Sequence, residues 1–513
     1  MTSQLPIATI RTAGILLHPT SLPGRFGIGD LGQPAHQFAE FLAGAGVGLW
    51  QVLPLGPTGY GDSPYQCFSA FAGNPLLISL EALVQEGFLL PEELDWPLTF
   101  PVDAVDYGGV IQFKYSELRK AWSNFKALGR QEVIAAVEEF HRENAYWLDD
   151  YCLFRAVKDA HGGAVWTQWE ASIAKRQPQA MAIWSDRLSD ELAAHRFWQY
   201  LFFAQWKKLQ QHCHRLGIRL MGDIPIFVAH DSADVWAHPE LFCLEEDGMP
   251  SLVAGVPPDY FSATGQLWGN PLYRWEEMAR TDYAWWVDRF RSIYRVVDLV
   301  RLDHFRGFEA YWQIPGNAST AINGRWVKGP GAAFFEGVER KLGKLPIVAE
   351  NLGVITHEVE SLREQFGFPG MAVLQFAFGV DPQAPEFMPH NFTRDRVVYT
   401  GTHDNDTTLG WWNSSGAEDS TRTAMQVQKE REFALKYLGN DGRDMNWTLI
   451  RIALASVASI AIIPLQDVLG LGSEARMNLP GRPSGNWRWR FRSEMLTSDI
   501  QRRLKELTFL YQR

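Results

Sequence analysis

Three carboxylates in this chain stand at the ends of short apolar runs, a placement that suits acid and base chemistry. Asp303 lies in Val300-Arg301-Leu302-Asp303-His304-Phe305-Arg306, Glu350 in Leu345-Pro346-Ile347-Val348-Ala349-Glu350-Asn351-Leu352-Gly353, and Asp404 in Tyr399-Thr400-Gly401-Thr402-His403-Asp404-Asn405-Asp406-Thr407. Side chains alternate across a strand, so Arg301 and Asp303 point the same way, and a guanidinium beside a carboxylate is expected to hold it ionised, as a nucleophile requires. Apolar neighbours are expected to raise Glu350 toward neutrality, as a general acid requires. Asp223, in Met221-Gly222-Asp223-Ile224-Pro225, is a fourth candidate. Two carboxyl groups flanking one bond, one charged and one neutral, are the equipment of glycoside chemistry.

Each motif taken alone has a second reading. Arg301 and Asp303 also suit a structural ion pair, Glu350 a helix cap, and the polar cluster around Asp404 a metal site, a cap or a grip on hydroxyls. His304 and Arg306 are read as loop anchors.

Acids that work together need elements ending at one place. Eight short β-rich apolar runs provide them: Ile15 to Leu17, Leu49 to Leu53, Ile218 to Met221, Val296 to Leu302, Ile347 to Ala349, Ala372 to Phe376, Val397 to Tyr399, and Ser459 to Ile463. Helix-length stretches separate most of them, for example His357 to Phe366. Eight strand–helix units predict an α/β fold, a (β/α)8 TIM barrel, whose site is built at the carboxyl ends of its strands. A doubly wound sheet is the rival. The gap 54–217 exceeds any single connection, and helical stretches around Val110 to Lys126, Glu132 to Ala160 and Leu188 to Arg215 mark it as a mainly helical insertion between strands 2 and 3. The expected organisation is one catalytic barrel over residues 1–513 carrying that insertion. Ile452 to Leu465 is too short for a membrane span and reads as a buried helix running into a strand.

Composition narrows the chemistry further. A net charge of −11 is a poor match to phosphate backbones or anionic lipid, so no nucleic acid and no membrane partner is expected. Cys67, Cys152, Cys213 and Cys243 are scattered, with no metal-binding or disulfide pattern, and Met1 to Arg11 lacks a secretory pattern; a cytoplasmic protein with reduced thiols is expected. No phosphate-binding glycine loop, zinc-protease helix or serine-hydrolase elbow appears. The 21 Trp in 513 residues mostly fill core, and the remaining rings suit the flat faces of sugars.

The motifs together resemble the 4-α-glucanotransferases called amylomaltases or disproportionating enzymes, relatives of the α-amylase barrel enzymes. The resemblance rests on Leu17-His18-Pro19-Thr20-Ser21-Leu22-Pro23, Gly59-Tyr60-Gly61-Asp62-Ser63-Pro64-Tyr65, Gly222-Asp223-Ile224-Pro225, Val253-Ala254-Gly255-Val256-Pro257-Pro258-Asp259-Tyr260-Phe261, Arg301 to Gly307, Ala349-Glu350, Gly401 to Thr407 and Gln466 to Gly470, and runs nearly end to end. It implies Asp303 as nucleophile, Glu350 as general acid/base and Asp404 as the acid that steadies the distorted sugar. Tyr65, Asp223, Arg301 and His403 would line that sugar's subsite. Residues 250–275 would form a flap over the acceptor side, with Asp259 and Phe261 on it and Trp268 just beyond, and Tyr60 would belong to a remote glucan-binding surface. Asn351 stands where the resemblance leads one to expect an acid, a change expected to act on the pKa of Glu350.

The implied reaction cleaves an α-1,4-glucan with retention and passes the segment to a sugar hydroxyl. Retention requires the two carboxyl groups about 5–5.5 Å apart. Partners are α-1,4-glucans and maltooligosaccharides; no cofactor and no metal is required, and a monomer or weak homodimer is expected. The rival readings are a hydrolase of the α-amylase type and an inactive glucan-binding scaffold.

Overall fold

All eight apolar runs become strands of one closed parallel barrel in the computed structural model, which describes residues 11–95, 99–258, 264–416 and 422–513. In chain order the strands are β1 (Thr12–Leu16), β2 (Leu49–Gln51), β3 (Arg219–Pro225), β4 (Leu252–Val256), β5 (Gln266–Pro271), β6 (Leu299–Asp303), β7 (Ala310–Pro315), β8 (Arg325–Lys328), β9 (Ile347–Ala349), β10 (Gly370–Val373), β11 (Arg396–Tyr399) and β12 (Ile460–Pro464). The barrel runs β1-β12-β11-β10-β9-β6-β3-β2 and closes β2 onto β1, which excludes a doubly wound open sheet. Its strands are buried along nearly their whole length, as a parallel sheet covered on both faces must be.

Two of the expected runs shift. Val296 and Val297 belong to the turn that leaves the helix Ala284–Ile293, because their amides already bond to Ile293 and the Val296 carbonyl accepts from the Trp206 indole at 2.9 Å. The sixth strand is Gly370–Val373, and Leu374–Phe376 turn as a short 3₁₀ helix at its exit.

Between β2 and β3 lie the helices Tyr107–Leu128, Gln131–Ala160 and Ser189–Arg215, close to the predicted bounds. The first ends on Gly129 at φ 55°, the left-handed cap that a glycine adopts without a Cβ penalty. Their aromatic faces, such as Phe125 on Phe197 at 4.4 Å, continue the barrel's own core. Ile452 to Leu465 divides as expected, into the end of the helix Met445–Ala455 and the strand β12. Among the described residues no helix is long and apolar enough to cross a membrane.

A second sheet departs from a plain barrel. β5, β4, β7 and β8 pair antiparallel in that order and stand beside the exits of β3 and β6. Both arms of the expected flap, β4 and β5, are thus strands of this sheet. Asp259 and Phe261 lie outside the described residues.

Candidate active site

Strand register decides which side chains meet at the carboxyl ends of the barrel. β3 pairs with β6 so that Asp223 faces Arg301, and β6 pairs with β9 so that Leu302 faces Ala349. The next position on each of the latter strands is Asp303 and Glu350. Neighbouring strands lie about 4.8 Å apart, the spacing on which two carboxyl groups can reach one bond.

Arg301 holds the centre. Its guanidinium is buried, donates to Asp223 Oδ2 at 2.6 Å and sends two bonds of 2.8 Å to Asp303 Oδ1. Asp223 also accepts from the Tyr65 hydroxyl at 2.7 Å and from Gln51 Nε2 at 2.8 Å, and Gln51 in turn accepts from the Tyr399 hydroxyl at 3.0 Å. Four strands of the barrel therefore contribute to one network that fixes the carboxylate of Asp303. Removing Arg301 would leave its fully buried partner Asp223 unpaired, at a cost of about 3–5 kcal/mol.

His304 follows Asp303 with a left-handed backbone, φ 51°, an uncommon conformation for a residue with a side chain. The turn points its amide at Glu350 Oε2, at 2.7 Å, while the Leu352 amide reaches Oε1 at 2.8 Å. The general-acid candidate is thus gripped by the loop that carries the nucleophile candidate. Asn351 turns elsewhere: it donates to Glu360 at 2.6 Å and accepts from the Met371 amide at 2.8 Å, tying the helix His357–Gln365 to β10.

Asp404 lies across the cleft, half-exposed. Asn478 donates to its Oδ1 at 2.6 Å, and Arg476 holds its backbone carbonyl. His403 is buried, stacks on Tyr65 with ring centres 4.9 Å apart, and leans on Trp487 at 5.5 Å. Burial lowers the pKa of His403, against the pull of Asp404. The neighbours of Asp404 are occupied in structural bonds: Asn405 accepts from Thr402, and Asp406 from Ser473 at 2.7 Å. Among the described residues no three His, Cys, Asp or Glu side chains converge on a metal position.

The electrostatics amend one expectation. Arg301 does pull the Asp303 carboxyl down, but burial outweighs it, and Glu350, Asp223 and Asp404 push the same way, so the carboxyl is raised to about 8. Burial raises Glu350 as well, against Arg301 and the two amides. Burial thus favours, on the pair of Asp303 and Glu350, a proton that isolated carboxyls would lose.

Of the predicted site residues, Asp303, Glu350, Asp404, Tyr65, Asp223, Arg301 and His403 meet in this cluster. Trp268, on β5, stands against the His304 ring at 4.8 Å, edge to face, on the rim. Tyr60 lies on the surface, 75% exposed. Gln51, Tyr399, Asn478 and Trp487 were not anticipated. A glutamine inside the apolar run Leu49 to Leu53 was the one available signal among them. Two motifs are scaffold. His18 caps the turn Pro19–Ser21 and donates to the Pro54 carbonyl at 3.0 Å, and Asp467 accepts from Thr400 and Thr408 at 2.5–2.7 Å to pin the loop that bears Asp404.

Known proteins resemble this chain over nearly its whole length. A family model described as 4-alpha-glucanotransferase matches residues 17–497. A 4-alpha-glucanotransferase of Synechocystis sp. is 51% identical over 509 residues, 98% of each chain. One of Thermus thermophilus is 50% identical over 97% of this chain and 98% of its own. Among solved structures, the amylomaltase from Streptococcus agalactiae in complex with acarbose superposes with a TM-score of 0.92 at 38% identity, over 98% of this chain and 99% of that one.

Proposed function

Because this chain belongs to the 4-alpha-glucanotransferase family, we propose that its activity runs by double displacement on Asp303 and Glu350. The enzyme transfers segments of α-1,4-glucans to glucose or another glucan. Asp303 attacks the anomeric carbon while Glu350 protonates the departing 4-oxygen, leaving a glycosyl ester on Asp303. Glu350 then takes the proton from an acceptor 4-hydroxyl, which displaces Asp303 and restores the original anomeric configuration. Asp404 stabilises the charge that develops on the distorted sugar, and Tyr65, Asp223, Arg301 and His403 line its subsite. The observation that carries this reading is the Leu302 to Ala349 register, with the His304 amide bonded to Glu350, which supports a shared bond between the two acids.

Transfer in place of hydrolysis needs water kept out and an acceptor held in line. In this proposal Trp268 does so together with Asp259 and Phe261, while Tyr60 belongs to a separate glucan-binding surface. The substrates are α-1,4-glucans and maltooligosaccharides, and the enzyme acts as a monomer or weak homodimer in the cytoplasm, where four unbridged thiols are the ordinary state. Incubation with maltotriose tests the activity. A ladder of longer maltooligosaccharides plus glucose is expected, and accumulation of shorter sugars alone would refute transfer.

The shared proton gives a pH dependence. Activity requires one carboxyl charged and one neutral, so kcat/KM is expected to fall as pH rises through the upper apparent pKa, near the value of about 8 to which Asp303 is raised. It falls again on the acid side when both carboxyls are protonated. A pH profile whose alkaline limb lies below pH 6 would contradict the buried pair.

A further inference from the structure

A tryptophan on the second sheet is explained by neither catalysis nor core packing. Trp326 lies on β8, the edge strand, and is 39% exposed. Trp312 and Ala318 pack against the small apolar cluster of Val253, Ile314 and Ala321. The Trp326 ring is nevertheless held from two sides: the Arg306 guanidinium stacks over it at 3.7 Å, and Trp312 meets it edge to face at 5.2 Å. An exposed indole fixed in this way has already lost the rotational freedom that binding would otherwise cost.

Arg306 ties this ring to the catalytic loops. It stands three residues after Asp303, is itself buried, and donates to the carbonyl of Val354, four residues after Glu350. Its Nε is buried without a partner among the described residues, as is Nε2 of His304, whose ring lies against Trp268. One short turn, His304 to Arg306, therefore reaches Glu350 through the His304 amide and two tryptophans of the second sheet, Trp268 through the His304 ring and Trp326 through Arg306.

We propose that Trp326, clamped by Arg306, is an outlying subsite for the acceptor glucan, stacking on a glucose ring several units from the reacting hydroxyl. This rests on the catalytic reading of Asp303 and Glu350. The chemistry favours a neutral sugar chain: a glucose unit offers an apolar CH face to the exposed, flat indole. The site's continuity with the catalytic loops selects the acceptor in place of an unrelated ligand. A long acceptor would gain from this contact and a single glucose would not.

The test uses α-maltosyl fluoride as donor, because fluoride leaves without occupying the acceptor side. Trp326→Ala is expected to raise KM for maltohexaose as acceptor about five- to tenfold, with KM for glucose and kcat unchanged, and Trp326→Phe is expected to retain most of the affinity. Should the alanine variant fail to fold, Trp326→Leu, which keeps apolar bulk but no flat face, carries the same expectation. Equal changes for both acceptors, or none for either, would overturn the proposal. Loss of the catalytic reading would appear separately, as activity surviving in Asp303→Asn toward every acceptor.

Discussion

Asp303→Asn is expected to lower transfer from maltotriose by about 10⁴-fold or more, since an amide cannot form the glycosyl ester on which both half-reactions depend. The expected loss lies in kcat, because the amide oxygen can still accept from Arg301 and the side chains of the proposed sugar subsite, Tyr65, Asp223 and His403, stay in place. The variant is also expected to melt no lower than the parent at pH 8. The sign follows from burial. A carboxyl raised to about 8 in the fold, from 3.8 outside it, contributes stability that is present at low pH and lost as pH rises through the folded value. Removing the ionisable group removes that loss, so the site trades stability for function. Initial rates and melting curves at pH 6 and 8 measure both effects. A variant within tenfold of the parent rate would remove Asp303 from the role of nucleophile.

The sequence revealed the parts of this molecule that obey short-range rules. A parallel barrel strand is apolar throughout and ends in a polar residue, so runs such as Ile347 to Ala349 followed by Glu350 mark both the strand and its reactive end. The insertion helices carry aromatic and aliphatic residues at helical spacing, and their bounds fell within a few residues. The second sheet was not legible for the opposite reason. β8 is exposed along most of its length, β4 contains Gly255 close to the backbone of Gln266, and β5 carries Gly269, so none shows the alternation of a half-buried strand.

The supporting cast of the site was hidden for a different physical reason. Gln51, Tyr399, Asn478 and Trp487 act through contacts with residues distant in sequence: Gln51 meets Asp223, and Asn478 meets Asp404. Nothing local to Asn478 or Trp487 distinguishes them from loop residues, because their roles exist only once the barrel has closed. The pKa of Asp303 belongs to the same class. Beside Arg301 the sequence predicts a lowered carboxyl, whereas the closed cleft adds burial and three further acids, and the sum changes sign. Local pairing sets one contribution, and the environment set by the whole fold sets the larger one.

Glu350→Ala separates the two half-reactions. With maltotriose the variant is expected to lose about 10³-fold in rate, because the departing sugar oxygen leaves poorly without a proton. With α-maltosyl fluoride the leaving group needs little help, so Asp303 can still displace fluoride and form the maltosyl ester. No base then remains to deprotonate an acceptor hydroxyl, and the ester is expected to accumulate as a mass increase of one maltosyl unit on the intact protein. Added azide, which carries no proton to remove, should displace Asp303 from the opposite face and give α-maltosyl azide, restoring turnover of the fluoride. The two amides that bond to Glu350 in the parent, from His304 and Leu352, belong to the backbone and survive the substitution, so the loss reads the carboxyl and not the loop. A β-configured azide product, or no rescue together with no accumulated ester, would refute the assignment of Glu350 as the acid and base of a retaining pair.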